Sequence, residues 1–207
     1  MVDNYLKQSA LAPLKLNART QTDEPTGVEL GETAFFGQIG LRLDASNKEI
    51  CDLAERGLGF ALPVKANSAT TKGQKSALWL GPDEWLLVMP AEQTAKQLQV
   101  LIKALDGQHA AVFDVSDSRI TLSLSGVNAR DVLKKGCGLD LHPDVFGPGQ
   151  CAQSTLALAH VLMHQTAEDK KTGAATYRLF IHRSFAEYTW AWLEDAAGEY
   201  GVRVSAG

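Results

Sequence analysis

From Phe35 onward, apolar and polar residues follow two different periodicities along the chain. Residues 36–43 alternate apolar and polar side chains, which predicts a half-buried strand. Ser46 and Asn47 can cap a helix that ends near Gly59. The elements predicted for this first half are strands over 36–43, 60–64, 77–80, 85–89 and 110–115 and helices over 47–57 and 91–105, with residues 65–76 as a polar loop. Their order is β-α-β-β-α-β.

The second half of the chain repeats this order. The predicted strands are 120–124, 154–159, 161–165, 177–181 and 202–204, and the predicted helices are 126–135 and 184–193. The clearest sign of repetition is a strand that opens with an aromatic residue and runs directly into an amphipathic helix, once from Trp85 and once from Tyr177. We therefore predict an α+β fold of duplicated ferredoxin-like halves, pseudo-repeats 34–116 and 117–207, within a single domain over 34–207.

The first 33 residues follow neither periodicity for more than a few positions. We therefore expect residues 1–33 to form an extended N-terminal arm outside the fold. The arm nevertheless contains several leucines, more than a purely solvated tail would carry. We expect these leucines to be ordered against another protein subunit; they are Leu6, Leu11, Leu14 and Leu16.

Composition and charge exclude several classes of protein. The 207 residues are 45% hydrophobic and 21% charged, which is ordinary for a globular protein. Lys and Arg total 20 against 24 for Asp and Glu, so no overall positive charge favours nucleic acid. The three cysteines, Cys51, Cys137 and Cys151, predict neither a disulfide framework nor a zinc site. Without an apolar signal segment or membrane span, the sequence predicts a cytoplasmic protein with no membrane partner.

The sequence predicts no catalytic, cofactor-binding or metal-binding residue in this chain. Neither a dinucleotide-binding glycine motif nor a phosphate-binding loop is present, and no nucleophile motif suggests a hydrolase. His160 and His164 would lie about 13 Å apart on a strand, too far for one metal ion. The polar junction 114–119 favours a structural role over a site. Cys137 follows two lysines, but a helix C-terminus disfavours a thiolate there.

Two tryptophans near the C-terminus suggest a protein contact instead. Trp190 and Trp192 cannot both face the core from one helix. Large aromatic side chains are common at protein interfaces. We therefore add Trp190 to the four arm leucines as a candidate interface residue.

Several segments together resemble the gamma subunit of heterotetrameric sarcosine oxidase. They are 79–86 (WLGPDEWL), 122–126 (LSLSG), 140–146 (DLHPDVF), 183–193 and, in the arm, 9–14. Segments 112–116 and 126–129 are more distantly similar to the folate-binding domain of glycine-cleavage aminomethyltransferases, which implies one domain of that fold. In that wider family, two acidic residues engage the folate. Here the corresponding strand carries Leu158, Ala159 and His160 instead, so no folate-binding residue is carried over.

The resemblance implies a small, non-catalytic assembly subunit. The enzyme oxidatively demethylates sarcosine to glycine with tetrahydrofolate as the one-carbon acceptor. FAD, FMN, NAD and tetrahydrofolate are expected in the partner subunits, named alpha, beta and delta, and none in this chain. The alternatives are a stand-alone folate-dependent aminomethyltransferase, a module that binds another small ligand and, least favoured by the net charge, a modifier of nucleic acid.

Overall fold

The computed structural model describes residues 7–19, 26–33 and 35–206. These residues form two compact units. The five-stranded unit consists of Phe35–Ser116 and Pro148–Gln153. The six-stranded unit contains Asp117–Gly147, the chain from Ser154 onward and the described residues before Phe35. The predicted grouping of residues 34–207 in one domain stays a prediction.

The five-stranded unit packs two helices against one face of an antiparallel sheet. Its elements are β2 (Phe36–Leu43), α1 (Lys48–Leu58), β3 (Ala69–Lys72), β4 (Lys75–Gly81), β5 (Glu84–Pro90), α2 (Ala91–Ala104) and β6 (Ala110–Asp114). Asn47 caps α1 by accepting from the amides of Glu49 and Ile50, and Gly59 ends it in the left-handed conformation. The predicted cap and stop of this helix are confirmed.

One strand of this unit lies later in the chain than predicted. No strand forms over 60–64, although Leu62 is buried and the carbonyl of Pro63 accepts from Trp85 Nε1 at 2.8 Å. The edge strand is β3 instead, which pairs with β4 across a two-residue turn that begins at Gly73. Residues 65–76 suggested a loop because they are polar, but an edge strand tolerates polar side chains on its exposed sides.

The six-stranded unit is built in the same way, with one strand more. Its elements are β1 (Val28–Glu32), β7 (Arg119–Gly126), α3 (Ala129–Lys134), β8 (Cys151–Leu156, of which residues 154–156 fall in this unit), β9 (Ala159–Glu168), β10 (Ala175–His182), α4 (Ala186–Ala197) and β11 (Val202–Ala206). Tyr177, Leu179 and Ile181 alternate along β10 and are all buried. The predicted strand over 177–181 is therefore confirmed.

The duplication is visible in the strand order of the two sheets. The five-stranded sheet runs β3-β4-β5-β2-β6, and the six-stranded sheet runs β8-β9-β10-β7-β1-β11. Strands β7, β9, β10 and β11 thus repeat the places of β2, β4, β5 and β6, and β8 repeats β3. The helices occur at equivalent points along the chain, since α1 and α3 follow the first strand and α2 and α4 precede the last. The predicted duplicated α+β fold is confirmed.

Strand β1 is the addition to this repeat, and it corrects the predicted limit of the arm. It lies between β7 and β11, antiparallel to the first and parallel to the second. Residues 28–32 therefore belong to the fold. Gly31 stands opposite both Ser123 and Ser205, and a Cβ on Gly31 would lie 2.8 Å from Ser123 Oγ and closer still to Ser205 Oγ. The five-residue strand was too short, and too rich in Glu and Gly, to be distinguished from an arm.

Candidate functional site

Two of the four arm leucines, Leu11 and Leu16, are buried in the chain's own fold. Leu11 is 1% exposed and Leu16 is also buried, whereas Leu14 is half-buried and Leu6 lies outside the described residues. The prediction that Leu11 and Leu16 await another subunit is therefore wrong. Two 3₁₀ helices, Ala12–Leu14 and Leu16–Ala18, meet at Lys15, whose φ of 48° is left-handed. This break removes any regular period, so the sequence gave no sign that both leucines turn inward.

Polar contacts hold the same segment to the six-stranded unit. Arg19 forms an ion pair with Glu194 of α4, and Ser9 Oγ donates to Glu32 of β1. Arg183 donates to the carbonyl of Gln8 at 2.8 Å. The described part of the predicted arm is thus anchored by side chains of its own chain.

Trp190 is also in the interior, which corrects the second interface prediction. It is 1% exposed, and its Nε1 donates to Glu194 one helical turn later at 3.2 Å. The buried face of α4 is made of residues at helical spacing, namely Ala186, Thr189, Trp190, Leu193 and Ala197. Trp192 falls on another side of the helix and is half-buried. Of the two tryptophans, Trp192 is therefore the one near the surface.

The most exposed large apolar side chain described is at the turn between β8 and β9. Leu158 is 78% exposed, and Ala157 before it has a left-handed φ of 51°. A two-residue hairpin turn usually places Gly or Asn at such a position, because other L residues are strained there. Phe185 and Tyr188 are also exposed. We call Leu158, Phe185, Tyr188 and Trp192 the turn patch.

Three contacts fix the geometry of the turn patch. The amide of Ala157 donates to the carbonyl of Gly136 at 2.9 Å, and the amide of Leu158 donates to Tyr188 Oη at 3.3 Å. The Trp192 ring packs over Gly136, where an added Cβ would lie 2.5 Å from Trp192 Cζ2. Tyr188 and Trp192 are four residues apart on α4 and lie along one side of it, and Phe185 is the residue immediately before the helix. These contacts therefore fix the conformation of the turn.

Basic side chains lie at the same end of the six-stranded sheet. Arg119 at the start of β7 pairs with His182 at the end of β10, and the amide of Arg183 donates to the carbonyl of Ser118. His160, His182 and Arg183 are exposed. Partial burial and the positive charges of Arg119 and His160 lower the pKa of His182. We call Arg119, His160, His182 and Arg183 the basic rim.

Several titratable groups lie in the interior of the chain, where burial or an ion pair determines their charge. Burial, reinforced by the positive charge of Arg178, lowers the pKa of His164 to about 4, so this imidazole is neutral at pH 7. Burial raises the pKa of the Cys151 thiol to about 11, which keeps it protonated. Arg130 and Glu168 form a largely buried ion pair at 3.1 Å, and Gln165 also donates to Glu168. Arg130 and Glu168 are thus paired with each other, whereas His164 and Cys151 are neutral at pH 7.

Among the described residues, no group of three or more His, Cys, Asp or Glu side chains is arranged to hold a metal ion. None of the helices in the described ranges is long and apolar enough to cross a membrane. A cavity of about 520 Å³ lies in the five-stranded unit beside Arg42 and His109. Arg42 is already paired with Asp83 at 3.0 Å in its wall.

Known proteins of one family are similar to this chain over most of its length. Residues 42–199 match the family described as "Sarcosine oxidase, gamma subunit family". Sarcosine oxidase subunit gamma from Corynebacterium sp. (strain U-96) is 37% identical over 207 residues, covering 98% of this chain and 96% of that protein. The same subunit from Arthrobacter sp is 36% identical and covers 88% and 86% of the two chains.

The chain belongs to the sarcosine oxidase gamma subunit family.

Solved structures agree with this membership in the sarcosine oxidase gamma subunit family. A chain of the heterotetrameric sarcosine oxidase from Corynebacterium sp. U-96, solved in complex with pyrrole 2-carboxylate, has a TM-score of 0.84. It is 32% identical, and the match covers 94% of this chain and 96% of that one. The predicted resemblance to the gamma subunit is thereby confirmed.

The more distant likeness concerns the fold alone. Aminomethyltransferase T of the glycine cleavage system from Bartonella henselae has a TM-score of 0.62 at 16% identity, over 86% of this chain and 48% of that chain. The segment expected to carry the folate carboxylates contains the β8–β9 turn, with Ala157, Leu158 and His160. None of these side chains can supply a negative charge, so the segment does not fit the folate-binding role.

Sequence reasoning missed the turn patch because its pattern suggested an uninterrupted strand. Residues 154–159 were predicted as one strand, and neither Ala157 nor Leu158 is a usual turn residue. The predicted helix over 184–193 carries Phe185, Tyr188 and Trp192 at helical spacing. Trp190 and Leu193 form a second apolar stripe, which was the one available signal that this helix has two apolar sides.

Proposed function

We propose that this chain is the gamma subunit of a heterotetrameric sarcosine oxidase and that it supports assembly rather than chemistry. The observation that carries the proposal is the match to a gamma subunit over 98% of this chain, together with the TM-score of 0.84 to a chain of the solved heterotetramer. Both matches span nearly the whole of this chain and of the matched chain, so the similarity is not confined to one part of either. The activity then belongs to the complex.

In this proposal the complex demethylates sarcosine oxidatively to glycine, with tetrahydrofolate as the one-carbon acceptor. FAD, FMN, NAD and tetrahydrofolate reside in the alpha, beta and delta subunits, in the cytoplasm. The interior of this chain supports the proposal that the catalytic chemistry belongs to the other subunits. His164 and Cys151, whose pKa values are strongly shifted, owe those shifts mainly to burial among packed side chains, which is a structural cause.

Affinity capture from the native cell tests the proposal. The tagged full-length chain should retain larger flavin-containing subunits, and the captured material should produce peroxide when sarcosine is added. The chain purified by itself should be colourless and should not oxidise sarcosine. A flavin spectrum or sarcosine-dependent peroxide from the purified chain alone would show that it carries chemistry itself.

Calorimetry with reduced folate separates the proposal from the stand-alone transferase. No saturable heat is expected at micromolar concentrations, because the segment at Leu158 offers no carboxylate to the pterin. A stoichiometric isotherm would favour the transferase. A rise in melting temperature with some other small ligand would favour a binding module, and the Arg42–Asp83 cavity would be its first candidate site.

A further inference from the structure

The turn patch has properties that packing within the chain does not explain. Leu158 stands at the tip of a turn, 78% exposed, where a polar residue or glycine would be more stable. The turn also keeps Ala157 in a left-handed conformation that is unfavourable for residues with a Cβ. Strain of this kind persists where the surroundings impose it, and it concentrates at functional sites.

The turn patch is also preorganised, because its conformation is fixed before a partner binds. Gly136 and Tyr188 hold the turn through its two central amides, and Trp192 covers Gly136. A protruding leucine on a fixed turn loses little conformational freedom when it enters a pocket. Aromatic side chains beside such an anchor are typical of the centre of protein interfaces.

The basic rim indicates that the partner's surface opposite it is negatively charged. Arg119 and Arg183 supply the positive charge at this end of the sheet, beside His160 and His182, although the chain as a whole carries a net charge of -4. Carboxylates opposite this rim would complement it. A second copy of the chain in a two-fold contact would instead bring basic rim against basic rim.

We propose that the turn patch and basic rim dock this chain onto a neighbouring subunit of the oxidase, whose surface presents an apolar pocket bordered by carboxylates. Leu158 enters the pocket, and Arg183 faces the carboxylates. The inference rests on the proposed function and adds to it the surface and the chemistry of the partner.

Competition during co-expression tests the docking surface. Wild-type chain with one tag and a variant with another are produced together with the partner subunits, and mass spectrometry gives their ratio in the purified complex. Leu158→Asp should be depleted at least about tenfold, because a carboxylate would enter an apolar, acid-bordered pocket. Val64→Asp is the matched control, since Val64 is 76% exposed but belongs to the five-stranded unit, and its ratio should stay within about twofold of one.

A second variant tests the charge independently of the apolar anchor. Arg183→Glu should also be depleted about tenfold, and the depletion should shrink as ionic strength rises. Arg183→Glu also removes the hydrogen bond to the Gln8 carbonyl, so Arg183→Gln, which lacks the charge but can still donate, is its control and should be depleted less than Arg183→Glu. Thermal unfolding of each purified chain checks that the substitutions leave the fold intact. Light scattering of the wild-type chain alone should give a monomer.

The possible results distinguish the two proposals. If wild-type chain does not assemble with the partner subunits, the proposed function itself fails. If wild-type chain assembles and Leu158→Asp competes equally with it, only the docking surface is wrong. Equal depletion of Leu158→Asp and Val64→Asp, or a dimer of the isolated wild-type chain through the turn patch, also overturns the docking surface.

Discussion

Leu158 and Tyr188 are joined by a hydrogen bond from the amide of the first to the phenol oxygen of the second, at 3.3 Å. The bond connects a turn of the sheet to the first turn of α4. It uses the only polar atom of an otherwise apolar side chain, so the ring remains available to contact a partner. The exposed leucine is thus held by a residue that belongs to the same surface.

The strain at Ala157 gives a direct stability prediction. Ala157→Gly should raise the free energy of unfolding by about 0.5–1 kcal/mol, because glycine adopts a left-handed φ without steric cost. Ala159→Gly, two residues later in β9, is the control and should lower it, because β9 is extended there and Ala159 is buried. Urea unfolding measures both. A loss of stability for Ala157→Gly would show that the turn is not strained.

Gly31 should tolerate no side chain. Gly31→Ala should lower the free energy of unfolding by about 1–3 kcal/mol, since the new Cβ would overlap Ser123 and Ser205 on the flanking strands. Gly138→Ala provides the control, because nothing lies within 4 Å of a Cβ built there. If the two alanine variants unfold at the same urea concentration, β1 does not pack between β7 and β11 as described.

The N-terminal segment should contribute to the stability of the isolated chain. Leu11→Ala should cost about 2–5 kcal/mol of unfolding free energy, as expected for a fully buried leucine. Leu14→Ala, at a half-buried position in the same segment, should cost clearly less. Denaturant unfolding compares the two variants. Equal small losses would instead support an arm that is ordered only by a partner.

His164 should make the chain less stable in acid. Its pKa in the folded chain is about 4, below the ordinary 6.5, so the unfolded chain binds the proton more readily between these values. The contribution is complete above pH 6.5 and decreases as pH falls towards 4, reaching a loss of about 2–3 kcal/mol at pH 4.5.

The variant His164→Gln isolates this contribution. The difference in unfolding free energy between pH 7.5 and pH 4.5 should be smaller in His164→Gln than in the wild type by about 2–3 kcal/mol. Parallel pH curves for the wild type and His164→Gln would mean that His164 is protonated as readily in the folded chain as in the unfolded one.

The repeated pattern of the chain was enough to predict the duplicated fold, because each half has strong local signals. Asn47 and Gly59 mark the ends of α1, and the two aromatic-led strands at Trp85 and Tyr177 run into helices in both halves. Such signals depend on residues close together in the sequence, so they can be recognised without a structure.

The interface prediction was wrong where contacts between residues distant in the sequence determine which side chains are buried. Leu11 and Leu16 are buried through two short 3₁₀ helices, and β1 becomes a strand only because β7 and β11 flank it. Trp190 and Trp192 are two residues apart, so a small error in the phase of α4 exchanged the buried and exposed sides. The turn at Leu158 lacks the residues from which turns are recognised.

Native mass spectrometry of the co-expressed complex tests the central claim most directly. If the chain is the gamma subunit of a heterotetrameric sarcosine oxidase, the purified complex should contain one copy of this 22.3 kDa chain with three other subunits, and the complex should oxidise sarcosine. The opposite result is an active, sarcosine-oxidising assembly of the other subunits that excludes this chain, while the chain itself remains a separate 22.3 kDa species.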